Sequence, residues 1–484
     1  MGWQEAEPGL PIQLGPRSNG EFVPEAPSPV VREAVRRARF EADRTARRLG
    51  MSRRRFLASL CGSAVTLVAL NACSSEESRS SGDGDPGGTF DLPPESTTEP
   101  EAAAEALAGD EFIMDVQSHL LEYSLLPDPA SAPRFGRVFP QANCGETYEE
   151  CYSIETFLDL MFLQSDTSLI VISAIPIPGD SNPLSIEVME ETRRVLGAVC
   201  EDDRILVHGQ AFPGLGPPEE AREAIARVAD EHDIAAWKLY THAPGSGAFF
   251  LDDHDPDLPQ VGEAFIEQVR EVGPPIIAVH KGFGNGSPHA SPVDIGPAAI
   301  AHPDVSFVVY HSGFDTGIDE GPFDPAGPGV DRLVASLDDA GIEPGSNVYA
   351  ELGSTWRAVM GDPDRAAHVV GKLLVAVGED NVVWGTDSIW YGTPQDQIQA
   401  FRAFSITEEY QERFGYPALT DEVKAKIFGL NSAELYGVDP EVVPCEFTPD
   451  DLQAAREAAP AASRRYGPET AAQVAQLQRE HGII

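Results

Sequence analysis

Val382-Val383-Trp384-Gly385-Thr386-Asp387-Ser388 is an apolar, β-branched run that stops at a glycine and a carboxylate. A strand buried on both faces reads this way, as a continuous apolar stretch rather than an alternating one. A carboxylate at its end falls on the rim where strand meets loop, which is where barrel enzymes keep their chemistry. Taken alone, Asp387 fits a helix N-cap equally well. The same pattern recurs upstream, however, with histidines in place of the aspartate.

Working outward, strand-like runs occupy 112–116, 168–174, 205–212, 235–241, 275–280, 306–311, 347–352 and 381–387. Segments of helical period lie between them, as at 219–231, 261–272 and 366–377. This alternation predicts βα units around a parallel sheet, and eight units predict a closed (β/α)8 TIM barrel over 111–439 with long loop insertions. A doubly wound open sheet is the alternative. It calls for a glycine-rich loop after the first strand, where the chain has Val116-Gln117-Ser118-His119.

The ends of the runs carry the polar residues. They are Gln117 and His119, Lys238 and His242, His280, His311, Glu351 and Asp387. In a barrel these ends converge on one mouth. Imidazoles and carboxylates meeting there suit a divalent ion such as Zn, Mn or Fe. Each histidine alone reads as readily as a structural residue; the coincidence of four strand ends is the signal. Arg357 and Trp390 stand just beyond the last two runs as pocket-wall candidates.

Residues 1–55 hold 11 bases against 7 acids, and the remainder 23 bases against 71 acids, giving a net charge of −44. A body this acidic argues against nucleic acid or an anionic membrane surface as partner. Residues 1–50, rich in Pro and Arg, read as disordered or as an over-extended start, although Arg32 to Arg48 could form a basic helix. The span 51–73 begins Met51-Ser52-Arg53-Arg54-Arg55-Phe56-Leu57 and continues apolar to Leu70. It resembles a twin-arginine export signal, too short for a comfortable transmembrane span. Leu70-Asn71-Ala72-Cys73 resembles a lipobox, which implies lipidation of Cys73, a membrane contact through that lipid alone, and a periplasmic or cell-surface location. Residues 74–110 then read as a flexible acidic linker. Cys144, Cys151, Cys200 and Cys445 remain as candidates for disulfides, with Cys144 and Cys151 able to close a small loop. Past 440, two amphipathic segments at 450–459 and 469–480 predict a C-terminal helical tail that packs on the barrel or joins a homodimer.

The order Gln-x-His, Lys, His, His and Asp at barrel strand ends resembles the amidohydrolase superfamily. The branch it resembles is the amidohydrolase-related group that includes aminocarboxymuconate semialdehyde decarboxylase. Asn431-Ser432-Ala433-Glu434-Leu435-Tyr436-Gly437 is similar to the helix with which those enzymes close their barrel. The resemblance implies that His119, His280 and Asp387 are metal ligands and that His311 is a catalytic histidine, with Asp387 also a candidate proton acceptor. The family's usual first motif is His-x-His, so Gln117 is a departure. It offers an amide oxygen in place of an imidazole nitrogen, which favours a harder ion or loss of the metal. Lys238, His242, Glu351, Arg357 and Trp390 are the candidate substrate-binding residues. The leading expectation is hydrolysis of an amide, ester or lactone of a small molecule by a metal-activated water. Non-oxidative decarboxylation of an aromatic or dienoic acid is the first alternative, and a non-catalytic, lipid-anchored binding protein is the second.

Overall fold

Seven of the eight runs become ordinary strands and the eighth a short one in the computed structural model of the chain. It describes residues 9–127, 150–441, 448 and 451, apart from positions 16, 20, 23, 24, 83, 201, 202, 244, 245, 253–259 and 285. The strands are β1 (Met114–Ser118), β2 (Leu169–Ile172), β3 (Ile205–Gln210), β4 (Ala236–Tyr240), β5 (Ile276–His280), β6 (Ser306–Tyr310), β7 (Val348–Glu351) and β8 (Val382–Val383). They are hydrogen-bonded in that order, every pair parallel. Backbone bonds close the ring. Val116 N donates to Trp384 O at 3.0 Å, Asp387 N to Gln117 O at 2.9 Å and His119 N to Ser388 O at 2.6 Å. The quoted stretch is therefore the seam of a (β/α)8 barrel.

Side chains pointing inward, among them Met114, Val116, Val171, Ala278, Val308 and Val383, fill the barrel interior. Tyr436 plugs its lower end, its hydroxyl 3.1 Å from His208 Nε2. Asn431 holds that closing helix in place, its amide donating to the Glu379 and Val382 carbonyls at 2.8 Å each.

The N-terminal quarter departs from the sequence expectation. Residues 29–48 are not disordered: they form helix α1 (Pro29–Arg48), capped by Ser28, whose hydroxyl accepts from Val31 N. The apolar run after Arg55 lies in helix α2 (Leu60–Ser81), and α1 and α2 pack together. The reason lies in spacing. Ala34, Ala38, Ala42 and Ala46 recur every fourth residue and make a small-residue stripe on an otherwise basic helix. Their shortness lets α2 approach closely, and Arg37 pairs with Glu76 across the two helices at 2.6 Å. Residues 74–110 are likewise built into the fold. They continue α2, add a strand (Gly88–Phe90) antiparallel to Phe404–Ile406, and form a helix at Pro100–Leu107. No helix among the described residues is long and apolar enough to cross a membrane. The predicted tail beyond 450 lies outside the described residues, Asp451 excepted.

Candidate metal centre and active site

Period-two alternation along the strands decides which side chains enter the barrel. On β5, Ile277 and Val279 pack outward while Ala278 faces in, which turns His280 toward the axis. On β4, Trp237 and Leu239 face outward, leaving Lys238 and Tyr240 inside. Register sets Tyr240 and Tyr310 on either side of His280.

At the upper rim the ring nitrogens and carboxylates converge. His119 Nδ1 lies 2.7 Å from the Ser173 carbonyl, so that nitrogen carries the proton and the bare Nε2 faces Asp387 Oδ1 at 3.2 Å. His311 repeats the arrangement, with Nδ1 donating to the Gly353 carbonyl at 2.6 Å. Its Nε2 sits 3.4 Å from the Gln117 amide nitrogen, which also donates to Asp387 Oδ1 at 3.1 Å. The other oxygen, Asp387 Oδ2, accepts from Ser354 Oγ at 2.5 Å and from Asn19 Nδ2 at 2.7 Å. His280 is 1% exposed, yet neither ring nitrogen has a hydrogen-bond partner. The Gln117 amide oxygen and Lys238 Nζ are likewise buried without one.

These features fit a divalent ion. Two donors on one ion, each at ~2.0–2.2 Å, lie roughly 3.0–3.5 Å apart. The bare His119 nitrogen and the Asp387 oxygen, both acceptors at 3.2 Å, have that spacing. The proton of each flanking imidazole is fixed on a backbone carbonyl, which leaves the other nitrogen free to ligate. An unpartnered buried imidazole is otherwise costly, at ~1–3 kcal/mol per group.

Electrostatics point the same way. Burial pushes the His280 ring well down, and brings His311 to about 4 and His242 to about 4, so all three are neutral ligands or acceptors at physiological pH. Burial works against charge on Asp387 too. The Ser354 hydroxyl, donating at 2.5 Å, is among the contacts that outweigh it and hold the carboxyl below its usual range. Burial also lowers Lys238, whose Nζ lies 3.7 Å above the Tyr310 ring.

Backbone strain gathers at the same rim. Phe283, His311, Ser312, Ser354 and Asp387, with φ of 44°, 65°, 49°, 57° and 57°, are the five described non-glycine residues in the left-handed region. Such conformations persist where surrounding bonds over-determine them, and they concentrate at functional sites. Here Glu351 supplies the bonds, accepting from His311 N at 2.9 Å and from Gly353 N. A Cβ at Gly353 or Gly385 would collide with the Glu351 carboxylate, so both positions require glycine.

The structure thus brings Gln117, His119, His280, His311 and Asp387 together. His242 stands behind His280, ring centroids 4.9 Å apart, and Lys238 lies within the barrel below. Arg357 lines a cavity of about 150 Å³ with Arg17, Phe22, Ser354 and Tyr391. Two further expected substrate contacts border the same residues. Glu351 is fully buried and positions the His311 loop, and Trp390 stacks on His119 at 5.5 Å. Cys73, 4% exposed, packs inside the core rather than at a free end. Cys151 and Cys200 are each disulfide-bonded; Cys144 and Cys445 lie outside the described residues.

Sequence reasoning missed Asn19 and Glu21. Glu21 Oε2 lies 3.7 Å from His280 Nε2, and one ligand atom from each of Glu21, His280 and His311 falls within 4.8 Å of the others.

A family profile described as Amidohydrolase matches residues 174–438, just over half of the chain. The chain belongs to the amidohydrolase family. As a member it is an enzyme of a metal-dependent family, which sets aside the non-catalytic reading. Comparison with curated proteins finds no match. Solved structures similar in fold include a 5-carboxyvanillate decarboxylase from Novosphingobium aromaticivorans with bound manganese. It is 14% identical, with a TM-score of 0.40, over 68% of this chain and 97% of that one. A 2,6-dihydroxybenzoate decarboxylase from Rhizobium is 14% identical with a TM-score of 0.38, over 68% and 99%. A putative amidohydrolase from Staphylococcus aureus is 14% identical with a TM-score of 0.37, over 68% and 100%.

Proposed function

We propose that the protein is a metal-dependent hydrolase that adds water to an amide, ester or lactone carbonyl of a small molecule at the barrel mouth. The observation that carries this reading is His280, buried with both nitrogens unpartnered amid His119, His311 and Asp387. His119, His280 and Asp387 would hold one divalent ion (Zn, Mn or Fe), with the Gln117 amide oxygen as a further donor. When bound, the ion supplies Lewis acidity and lowers the pKa of a water toward ~7.

The chain's own groups do the rest. Asp387, ionised and oriented by Gln117, Asn19 and Ser354, takes a proton from the attacking water. The Gly353 carbonyl holds the His311 proton on Nδ1, so the bare Nε2 would be the other acceptor for the water's proton, and the group that takes that proton returns it to the leaving group. Burial of the rim excludes bulk water and strengthens each of these contacts.

Decarboxylation is the second reading, favoured by Arg17 and Arg357 in the walls of the adjoining cavity, which suit a substrate carboxylate. Elemental analysis of the full chain beside His280→Ala tests the common ground. We expect about one equivalent of metal in the wild type and under a tenth of that in the variant; equal content in both, or none in either, would refute the metal reading. Release of CO2 from aromatic acids, against cleavage of esters and lactones, then separates the two chemistries.

Export remains a proposal. The residues Arg53-Arg54-Arg55-Phe56-Leu57 and the disulfides of Cys151 and Cys200 support an oxidising compartment reached by the twin-arginine machinery. Lipidation of Cys73 would follow cleavage before it and so remove α1 and the start of α2; the packing of both into the fold favours export with this segment retained.

A further inference from the structure

We infer that Glu21, in the segment before α1, is a working part of the active site and supplies a carboxylate ligand in place of the imidazole that the departure at Gln117 leaves missing. The inference rests on the metal-dependent reading and adds a donor from outside the barrel. Glu21 Oε2 and His280 Nε2 are 3.7 Å apart. That is too long for a hydrogen bond and close to the spacing of two donors on one ion. The histidine nitrogen it faces is buried and unpartnered, so the position calls for a third body between them.

The arm is built to present that carboxylate. Asn19 Oδ1 accepts from Glu21 N at 3.0 Å, and Asn19 Nδ2 donates to Glu21 Oε2 and to Asp387 Oδ2 at 2.7 Å each. One amide thus bridges two carboxylates that repel each other unless a cation lies near. Phe22 stacks on Phe283 at 4.5 Å, and Ser18 Oγ donates to the Phe22 carbonyl, which fixes the turn. Upstream, Ile12 is fully buried and Gln13 N donates to Asp396, so the segment is anchored on both sides of the turn. Chemically, a second carboxylate beside Asp387 makes the donor set harder, which favours Mn²⁺ over Zn²⁺.

The test uses the full chain with Mn²⁺ and Zn²⁺ as probes, measured by titration against a chelating indicator and by the shift in Tm that each ion produces. The variants are Glu21→Gln, Glu21→His, His280→Ala and the arm control Glu25→Gln. We expect Glu21→Gln to bind Mn²⁺ at least ~10-fold more weakly, the scale of loss when groups around a metal are removed. Glu21→His should restore Zn²⁺ more than Mn²⁺, and Glu25→Gln should match the wild type. Wild-type affinity in Glu21→Gln, with His280→Ala unable to bind, would overturn the assignment of Glu21 alone. Failure of the wild type itself to bind either ion would overturn this assignment together with the metal reading beneath it.

Discussion

At the scale of single residues, Gln117 sets the character of the site. Its amide nitrogen is spent on Asp387 and His311, and its oxygen is buried without a partner. Gln117→His is expected to raise Zn²⁺ affinity at least ~10-fold, because an imidazole nitrogen suits that ion better than an amide oxygen. Competition titration with Zn²⁺ checks it, and unchanged affinity would mean that this side chain does not face the ion. Gln117, His119, His280, His311 and Asp387 were legible because each sits at the end of an apolar run, where barrel geometry gives a polar side chain one destination. Asn19 and Glu21 were not. Their contacts with Asp387 and His280 span most of the chain, and no local pattern records a partner 368 residues away.

At the scale of elements, helix α3 (Pro363–Val377) shows how burial sets a pH limit away from the chemistry. His368 is buried against Tyr410, Phe414 and Tyr416, with Nδ1 2.9 Å from the Tyr416 hydroxyl. Burial pushes the ring down to about 4; nearby Asp364 and Asp331 oppose this, while Lys372 and Arg413 add to it. A depressed folded pKa contributes stability that is full above the unfolded value of ~6.5 and is lost as pH falls toward about 4. His368→Gln should therefore flatten the acid limb of stability by on the order of 2 kcal/mol between those values. Denaturant midpoints across that range measure it, and parallel curves for the two proteins would contradict it. The barrel strands were read to within two residues at either end from their apolar runs, except β8, which ends at Val383 rather than at Asp387. Helix α1 was misread because its alanine stripe hides in a segment whose mean composition is Pro- and Arg-rich. Averages conceal a face that only spacing reveals.

At the scale of the whole molecule, the N-terminal residues and the barrel form one packed body. Ala34, Ala38 and Ala42 are fully buried against their neighbours, and Phe22 lies against the barrel rim. A chain starting at Met51 would expose the α2 face carrying Cys61, Val65 and Ala69 and would lose the Asn19 bond to Asp387. We expect it to show a lower Tm, more aggregation and weaker metal binding than the full chain. Equal Tm and affinity would show the first 50 residues to be dispensable. Intact mass of the protein recovered from its native compartment would show directly whether α1 is retained.

The bond between Asn19 and Asp387 also imposes an order in time. Synthesis runs from the N-terminus, so Asn19 is made 368 residues before Asp387 and the strand that seals the ring. The earlier segment must wait for the later one. An ion that needs both ends therefore cannot be captured tightly by the nascent chain, and loading becomes an event of the finished molecule. Any tag, fusion or pause that delays the docking of Asn19 and Glu21 would delay the onset of catalysis while leaving the barrel itself intact.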